Sequence, residues 1–431
     1  MNASLELWGG VECTVNRVGN VWRDQVQLSG HDARLDDLDL IADLGIRTLR
    51  YPVLWERTET APGVFDWRWA DARLARLREL GIRPVVGLVH HGSGPDWTDL
   101  LDDAGFARGL ARFAGAAAAR YPWVTDWTPV NEPLTTARFS CMYGHWHPHR
   151  RDEGDFWRAL LNQMDAVRLA MHAIRAVTPA ARLIQTEDFG VTSGTPPCRD
   201  QIRHENLRRL ATWDLLEGQV TPDHGHYAHI GSFGLQDRLD AFRADPCPAD
   251  VIGLNHYATS DRFLDHRLAR YPTHSHGGNG QIAYADVAAV RVLEAPMHGW
   301  TWLLDQLWTR YGRSIAVTEC HLGCSADQQI RWLADCWQAA QAARLAGVAV
   351  EAVTVWALLG SHDWNSLLTR TDGHYEPGAL DVSSGVPRPT TLANAVAHLA
   401  KTGGLRDAPA HCEMAPVGWW RTPERFEPAP A

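Results

Sequence analysis

Apolar positions along the chain follow two patterns that alternate. Short runs of aliphatic and β-branched residues, typical of buried strands, are separated by longer segments in which apolar residues recur at helical spacing. Eight strands are predicted, over residues 5–12, 47–52, 84–90, 126–131, 182–187, 250–257, 314–319 and 352–356. Eight helices are predicted, over residues 33–44, 70–80, 104–121, 156–177, 202–216, 300–311, 325–345 and 390–402.

This alternation predicts the fold class. Strands separated by helices form parallel sheets with helical crossovers. Eight such units fit a closed α/β barrel, the (β/α)8 TIM barrel, better than an open doubly wound sheet. We therefore predict that residues 1–403 form one barrel. Residues 404–431 contain several prolines and the pair Trp419 and Trp420, and are predicted to be a docked tail because adjacent tryptophans seldom remain in water.

Polar residues stand at the ends of the predicted strands. Enzymes of this fold carry catalytic side chains at the C-terminal ends of several strands. In strand order, these positions hold Asn16, Arg50, His90, Asn131 with Glu132, Glu187, Asn255 with Tyr257, Glu319 and Trp356. We expect these side chains to meet at one end of the barrel.

Two of these residues are carboxylates that end buried apolar runs. Glu132 ends the run in WTPVNEP at 127–133, where Pro133 disfavours continuation of a strand. Glu319 ends SIAVTE at 314–319, and strand order assigns the pair to strands four and seven. Glycoside hydrolysis needs two carboxylates, because one protonates the leaving oxygen and the other attacks the sugar or activates water. The pattern therefore predicts a glycosidase site.

Composition and charge exclude several other functions. Lys and Arg number 41 against 51 Asp and Glu, and the formal charge of −10 argues against a general affinity for nucleic acid or anionic membranes. The first residues lack the basic flank and apolar core of a signal peptide, and no apolar run reaches the ~18 residues of a membrane span. Eight scattered cysteines favour thiols in a reducing cytoplasm. We expect a cytoplasmic protein whose oligomeric state the sequence leaves open.

The ordered set of motifs resembles glycoside hydrolase family 1, the β-glucosidase-like enzymes of the retaining (β/α)8 clan. The segment TPVNEP is similar to the family's T-x-N-E-P, VTE to I-T-E-N-G, DVIGLNHY to D-F-I-G-x-N-Y-Y, and WALL to W-S-L-x. These segments occupy 128–133, 317–319, 250–257 and 356–359, and RTLRYP at 47–52 and LVH at 88–90 also match. The resemblance covers residues 5–399.

The resemblance implies a role for each matched residue. Glu132 corresponds to the acid/base and Glu319 to the nucleophile of a double displacement through a glycosyl-enzyme intermediate. Arg50 and Tyr257 are expected to keep Glu319 ionised, and Asn131 to hold the sugar 2-hydroxyl. The implied residues for binding a carbohydrate substrate are Asn131, Arg50, His90, Asn255, Tyr257, Trp356, Asp363, Trp364 and Asn16.

No cofactor or metal is predicted. Neither a G-x-G-x-x-G nor a Walker loop is present, so nucleotide binding has no support. His145, His147 and His149 alternate, but in a loop that matches the family without metal. Cys320 and Cys324 lack the second pair of thiols that a zinc site of this kind needs.

Four departures from the family pattern leave the sugar unpredicted. They are Cys320 in place of the Asn after the nucleophile, His90-His91 in place of H-W, SHDW at 361–364 in place of N-F-E-W, and Asn16 where a Gln belongs. Two other functions stay open: a transglycosylase with the same two carboxylates, and a sugar-binding module without catalysis. The chain also resembles the front module of bacterial proteins that continue into a dTDP-4-dehydrorhamnose-reductase-like domain, which implies cell-surface polysaccharide metabolism.

Overall fold

The computed structural model describes residues 4–292, 294–295, 297–405, 412 and 414–425. Eight parallel strands form a closed barrel, which confirms the predicted fold. The strands are β1 Glu6–Gly10, β2 Thr48–Pro52, β3 Arg83–His90, β4 Asp126–Asn131, β5 Arg182–Asp188, β6 Val251–His256, β7 Ser314–Cys320 and β8 Val350–Val355. They follow one another around the barrel in chain order, and β1 closes it by pairing with both β2 and β8.

Helices surround the barrel as the apolar periodicity predicts. The main ones are Asp37–Asp43, Arg68–Glu79, Gly105–Arg120, Glu153–Val177, Arg199–Arg208, Ala211–Leu216, Gly299–Tyr311, Ala326–Leu345 and Thr391–Thr402. The single helix predicted over 202–216 is two helices in the structure, and Arg209 lies at the break between them. None of the helices in the described ranges combines the length and apolar character needed to cross a membrane.

The floor of the barrel is a closed apolar layer. Its side chains are buried and come from six strands: Trp8, Val85, Ile184, Val251, Ala316 and Ala352. Filling of this kind makes a barrel interior a packed core and not a pore. A site at the C-terminal end of the strands is therefore sealed from below.

Short strands and helices extend the loops of the barrel. Beyond β5 and β6, a four-stranded sheet is formed by Thr192–Gly194, Arg262–Asp265, Ala283–Ala288 and His276–Gly278. Two-stranded pairs join Val15–Val18 to Val21–Asp24, Glu59–Ala61 to Val64–Phe65, Ser361–His362 to Tyr375–Glu376, and Leu380–Asp381 to Arg388–Pro389. The short helices Gln25–Leu28, Trp55–Thr58, Pro133–Ala137, Tyr227–Gly231 and Gln236–Ala244 connect larger elements.

The described part of the C-terminal segment packs on the barrel. Trp420 is 4% exposed and meets Trp332 edge-to-face, with 4.9 Å between ring centroids. The backbone N–H of Trp419 donates to Gln328 Oε1 at 3.0 Å. Of the predicted tail, residues 406–411, 413 and 426–431 lie outside the described residues, and the boundary at 403 stays a prediction.

Candidate active site

A cavity of about 670 Å³ opens at the C-terminal end of the barrel. Glu132 and Glu319 both line it. Glu132 follows β4 with a left-handed backbone, φ 45°, a conformation that costs a non-glycine residue about 1–3 kcal/mol and persists only where the surrounding structure fixes it. Helix Pro133–Ala137 starts directly after it, and Glu319 is the penultimate residue of β7. The fold therefore brings the two predicted carboxylates to one space.

Glu319 is held by two donors that favour its charged form. Arg50 Nη1 donates to Oε1 at 2.9 Å, and the Tyr257 hydroxyl donates to Oε2. Burial raises the pKa of Glu319, while the Arg50 charge and the two hydrogen bonds oppose that rise. A carboxylate with a cation and a hydroxyl on its two oxygens is stabilised as an anion.

Among the described residues, no arginine or lysine pairs with the oxygens of Glu132. Asn255 Nδ2 donates to Oε1 at 2.6 Å, and His91 Nε2 lies 3.8 Å from Oε2. Burial lowers the pKa of His91 to about 3, so this imidazole is neutral. Burial raises the pKa of Glu132 well above its ordinary value, and the nearby charge of Glu319 raises it further. In this pair the surroundings favour a proton on Glu132 and a charge on Glu319.

Arg50 also fixes the orientation of Asn131. Arg50 Nη2 and Thr186 Oγ1 donate to Asn131 Oδ1 at 2.7 and 2.8 Å. The amide nitrogen then faces His90 Nε2 at 3.2 Å. The guanidinium itself lies over Trp356, 4.7 Å from the ring centroid. Asn131, Arg50 and Asn255 thus contact one another or the carboxylates from behind the cavity wall.

The two histidines after β3 have different positions. His90 stacks almost parallel on Trp356, with 5.5 Å between centroids, and its Nδ1 lies 3.4 Å from Cys13 Sγ. His90 supports Asn131 and is not part of the cavity wall, whereas His91 is. The backbone of His91 is left-handed, φ 54°, and its side chain lines the cavity. The sugar contact expected of His90 is thus open to His91 in the structure.

Trp356 and Trp364 line the cavity as expected, but Asp363 and Asn16 do not. Asp363 is 3% exposed, and its Oδ1 accepts the backbone N–H groups of Asp372 and His374, both at 3.0 Å. It therefore holds a loop instead of facing the cavity. Asn16 lies in the Val15–Val18 strand, 1% exposed, and its side-chain amide has no hydrogen-bond partner among the described residues.

Sequence reasoning assigned no role to several carboxyl groups that do line the cavity: Glu12, Asp188, Glu205, Asp286 and Glu376. Glu12 closes the predicted strand 5–12, so its place at a strand end was a usable signal. Burial raises the pKa of Glu12 to about 7. Glu376 lies opposite Ser361 in a short hairpin, and His321 Nε2 is 2.9 Å from its Oε2. That pairing has no local sequence signal.

Within the described part of the chain, the histidines at 145, 147 and 149 and the cysteines at 320 and 324 do not form a group of three converging ligand atoms. Within the described ranges, one group of three ligand side chains converges, Glu153 with His204 and His229, whose ligand atoms lie within 4.8 Å of one another. These three residues are partly exposed and are not part of the cavity wall. All eight cysteines, Cys320 and Cys324 included, are free.

Comparison in three dimensions identifies the class of fold. No family model and no curated protein matches the sequence. Solved structures do match: a family 1 β-glucosidase from Thermotoga maritima superposes with a TM-score of 0.74 over 93% of this chain and 98% of that one, at 17% identity. A β-glucosidase from the same organism in complex with azafagomine gives 0.75 over 94% and 99%, also at 17%. This likeness shows that the chain has the (β/α)8 fold of the family 1 β-glucosidases.

Proposed function

We propose that the chain is a retaining β-glycosidase that hydrolyses a β-linked glycoside by double displacement. The observation that supports this is the contrast between Glu132 and Glu319 in one buried cavity. One is surrounded so as to hold a proton, and the other so as to hold a charge. These are the starting states of a general acid and a nucleophile.

In the first step the Glu319 carboxylate attacks the anomeric carbon. The bond to the leaving oxygen breaks, and Glu132 transfers its proton to that oxygen. The product is an ester between the sugar and Glu319. Because this ester carries no charge, the electrostatic cause of the high pKa of Glu132 is removed, and its carboxyl becomes a base.

In the second step Glu132 takes a proton from water, which attacks the same anomeric carbon and releases Glu319. Two inversions leave the anomeric configuration unchanged. We assign Asn255 and Tyr257 as positioning residues of Glu132 and Glu319, because each donates to one of them. Arg50 positions Glu319 and Asn131 together.

Substrate contacts are assigned to residues at or beside the cavity wall. The Asn131 amide N–H is proposed to donate to the sugar 2-hydroxyl, since its oxygen is already occupied. His91, Trp356, Trp364, Glu12 and Glu376 line the space where the sugar would lie. Asn16, His90 and Asp363 do not line the cavity, and we propose no substrate contact for them.

The test is a screen of aryl β-glycosides that differ only in the sugar, with proton NMR of the first-formed anomer. Turnover with retained configuration would support the proposal, and turnover with inversion would overturn it. A parallel reaction with added acceptor sugar separates hydrolysis from transglycosylation by the same residues. No turnover of any glycoside by the wild type, with sugar binding intact, would favour the non-catalytic alternative.

A further inference from the structure

One side of the cavity is lined by three arginines, Arg138, Arg208 and Arg209, here called the arginine wall. Arg208 and Arg209 are only 6% and 3% exposed, and Arg138 is half-buried. Arg138 lies just beyond helix Pro133–Ala137, and Arg209 at the helix break after β5. Arginine remains protonated under ordinary conditions, so this side of the cavity carries permanent positive charge.

No carboxylate of the described residues forms an ion pair with the arginine wall. Arg209 Nε donates to Thr192 Oγ1 at 3.3 Å, and Arg208 Nη1 lies 3.6 Å from Met142 Sδ. Arg138 Nε is buried without a hydrogen-bond partner in the described part of the chain. Burying guanidinium groups without a counter-charge is costly, and unused N–H donors add to that cost. A bound anion would satisfy both requirements.

Two acids of the cavity wall whose charges act on Arg209, Asp188 and Glu205, have other hydrogen-bond partners. Asp188 accepts a hydrogen bond from the Ser260 hydroxyl. Glu205 accepts from Thr192 Oγ1 at 3.1 Å and from Gln201 Nε2 at 3.0 Å. Their charges offset part of the positive potential, but neither acid accepts a hydrogen bond from the three guanidinium groups, and Arg138 Nε stays without a partner among the described residues. Arg262 is different, because it lines the same cavity but is paired with Asp286 at 2.7 Å.

The position of the arginine wall in the cavity indicates which part of a substrate it would contact, the leaving group. In the proposed mechanism Glu132 protonates the leaving oxygen, so the leaving group lies on the side of Glu132. Arg138 follows Glu132 by one short helix, and both line the same cavity. Asp188 and Glu187 lie close enough to act on the charges of both Glu132 and Arg138, so we place the arginine wall on the leaving-group side of the cavity.

Resting on the proposed function, we infer that the leaving group of the natural substrate carries an oxyanion, and that the arginine wall binds it. Carboxylate, phosphate and sulfate share the required chemistry, because each presents oxygens that match the forked donors of guanidinium. The site would thus select for anionic aglycones through Arg138, Arg208 and Arg209.

A binding experiment tests the anion site without requiring turnover. Calorimetric titration of the wild type with benzoate, phenyl phosphate, phenyl sulfate and neutral benzamide should show binding of at least one anion and none of benzamide. Arg138→Gln and Arg209→Lys should weaken that binding by about tenfold or more, the effect of losing a charged hydrogen bond. The exposed Arg151 provides a matched control: Arg151→Gln removes the same charge and should leave binding unchanged. The tightest anion identifies the oxyanion.

Kinetics on paired substrates test the placement beside the leaving group. Aryl β-glycosides that carry a ring carboxylate or the corresponding carboxamide should differ in kcat/KM by about tenfold in favour of the anion, and Arg138→Gln should remove that preference. Equal turnover of the two by the wild type overturns the inference and leaves the proposed function intact. Anion binding without turnover of either glycoside overturns the function and the leaving-group assignment. No anion binding, or binding unaffected in Arg138→Gln and Arg209→Lys, overturns the site.

Discussion

Glu132 and Glu319 are the same residue type at equivalent places in the barrel, yet their surroundings differ. Glu132 directly follows β4, Glu319 is the penultimate residue of β7, and both are almost fully buried. Residues at the end of β6 donate a different group to each carboxyl. The neutral amide of Asn255 donates to Glu132, and the hydroxyl of Tyr257, two residues later, donates to Glu319. Arg50, the middle residue of β2, adds a cation to Glu319 and not to Glu132. The role of each carboxylate is thus set by neighbouring strands and not by its own segment.

The largest effect is expected from removal of the charge-stabilised carboxylate. Glu319→Ala should lower kcat by at least about 10⁴-fold, since about 5–6 kcal/mol of barrier lowering is lost with the nucleophile. Added azide should restore part of the turnover and give a glycosyl azide of opposite configuration to the substrate. Steady-state kinetics and NMR of the azide product check this.

Removal of the proton-holding carboxyl should have an effect that depends on the leaving group. Glu132→Gln should lose about 10²–10⁴-fold in kcat/KM on glycosides with poor leaving groups, the usual contribution of general acid catalysis. Glycosides with acidic phenols need little protonation and should lose much less in the first step. The basic limb of the pH profile, which reports loss of the Glu132 proton, should vanish. An equal loss on all leaving groups would argue that Glu132 has no acid role.

Substitutions at Glu376 and Asp363 should affect different properties, because Glu376 lines the cavity and Asp363 stabilises a loop. Glu376→Gln should lower kcat/KM by about 10- to 100-fold, the cost of a charged hydrogen bond to a sugar hydroxyl, with little change in Tm. Asp363→Asn should instead lower Tm, because Asp363 Oδ1 accepts two backbone N–H groups. Calorimetry and kinetics on both variants check the contrast. The reverse outcome would return the substrate contact to Asp363.

A smaller effect should follow from removing one donor to Glu319. The Tyr257 hydroxyl lowers the pKa of Glu319 against the rise caused by burial. Tyr257→Phe should therefore raise that pKa, move the acid limb of kcat/KM to higher pH, and cost about tenfold in rate. The basic limb should move little. Tyr311→Phe is the control, since Tyr311 donates to a carboxylate, Asp214, outside the cavity; an unmoved acid limb in Tyr257→Phe would contradict the assignment.

The barrel fold and the two carboxylates could be predicted from the sequence because both leave local signals in it. Apolar runs ending in NEP and TE put Glu132 and Glu319 at strand ends, and the eight strands lie within a few residues of their predicted bounds. His91 was named only as a departure from the family pattern, because its place in the cavity wall follows from the tertiary fold and leaves no local signal. Glu376 and the arginine wall depend on hairpin pairing and on a helix break, which are tertiary features. The local sequence pattern therefore predicts which strands end in candidate catalytic residues, but it does not predict which loop residues line the same cavity.

Trapping the covalent intermediate tests the central claim most directly. The wild type should be incubated with a 2-deoxy-2-fluoro glycoside that has a good leaving group, which slows release of the glycosyl-enzyme. Intact-mass and peptide mass spectrometry should then show one added sugar, attached to the peptide that contains Glu319, and none in Glu319→Ala. A label on another residue, or rapid turnover with no label and an inverted product, would contradict the account.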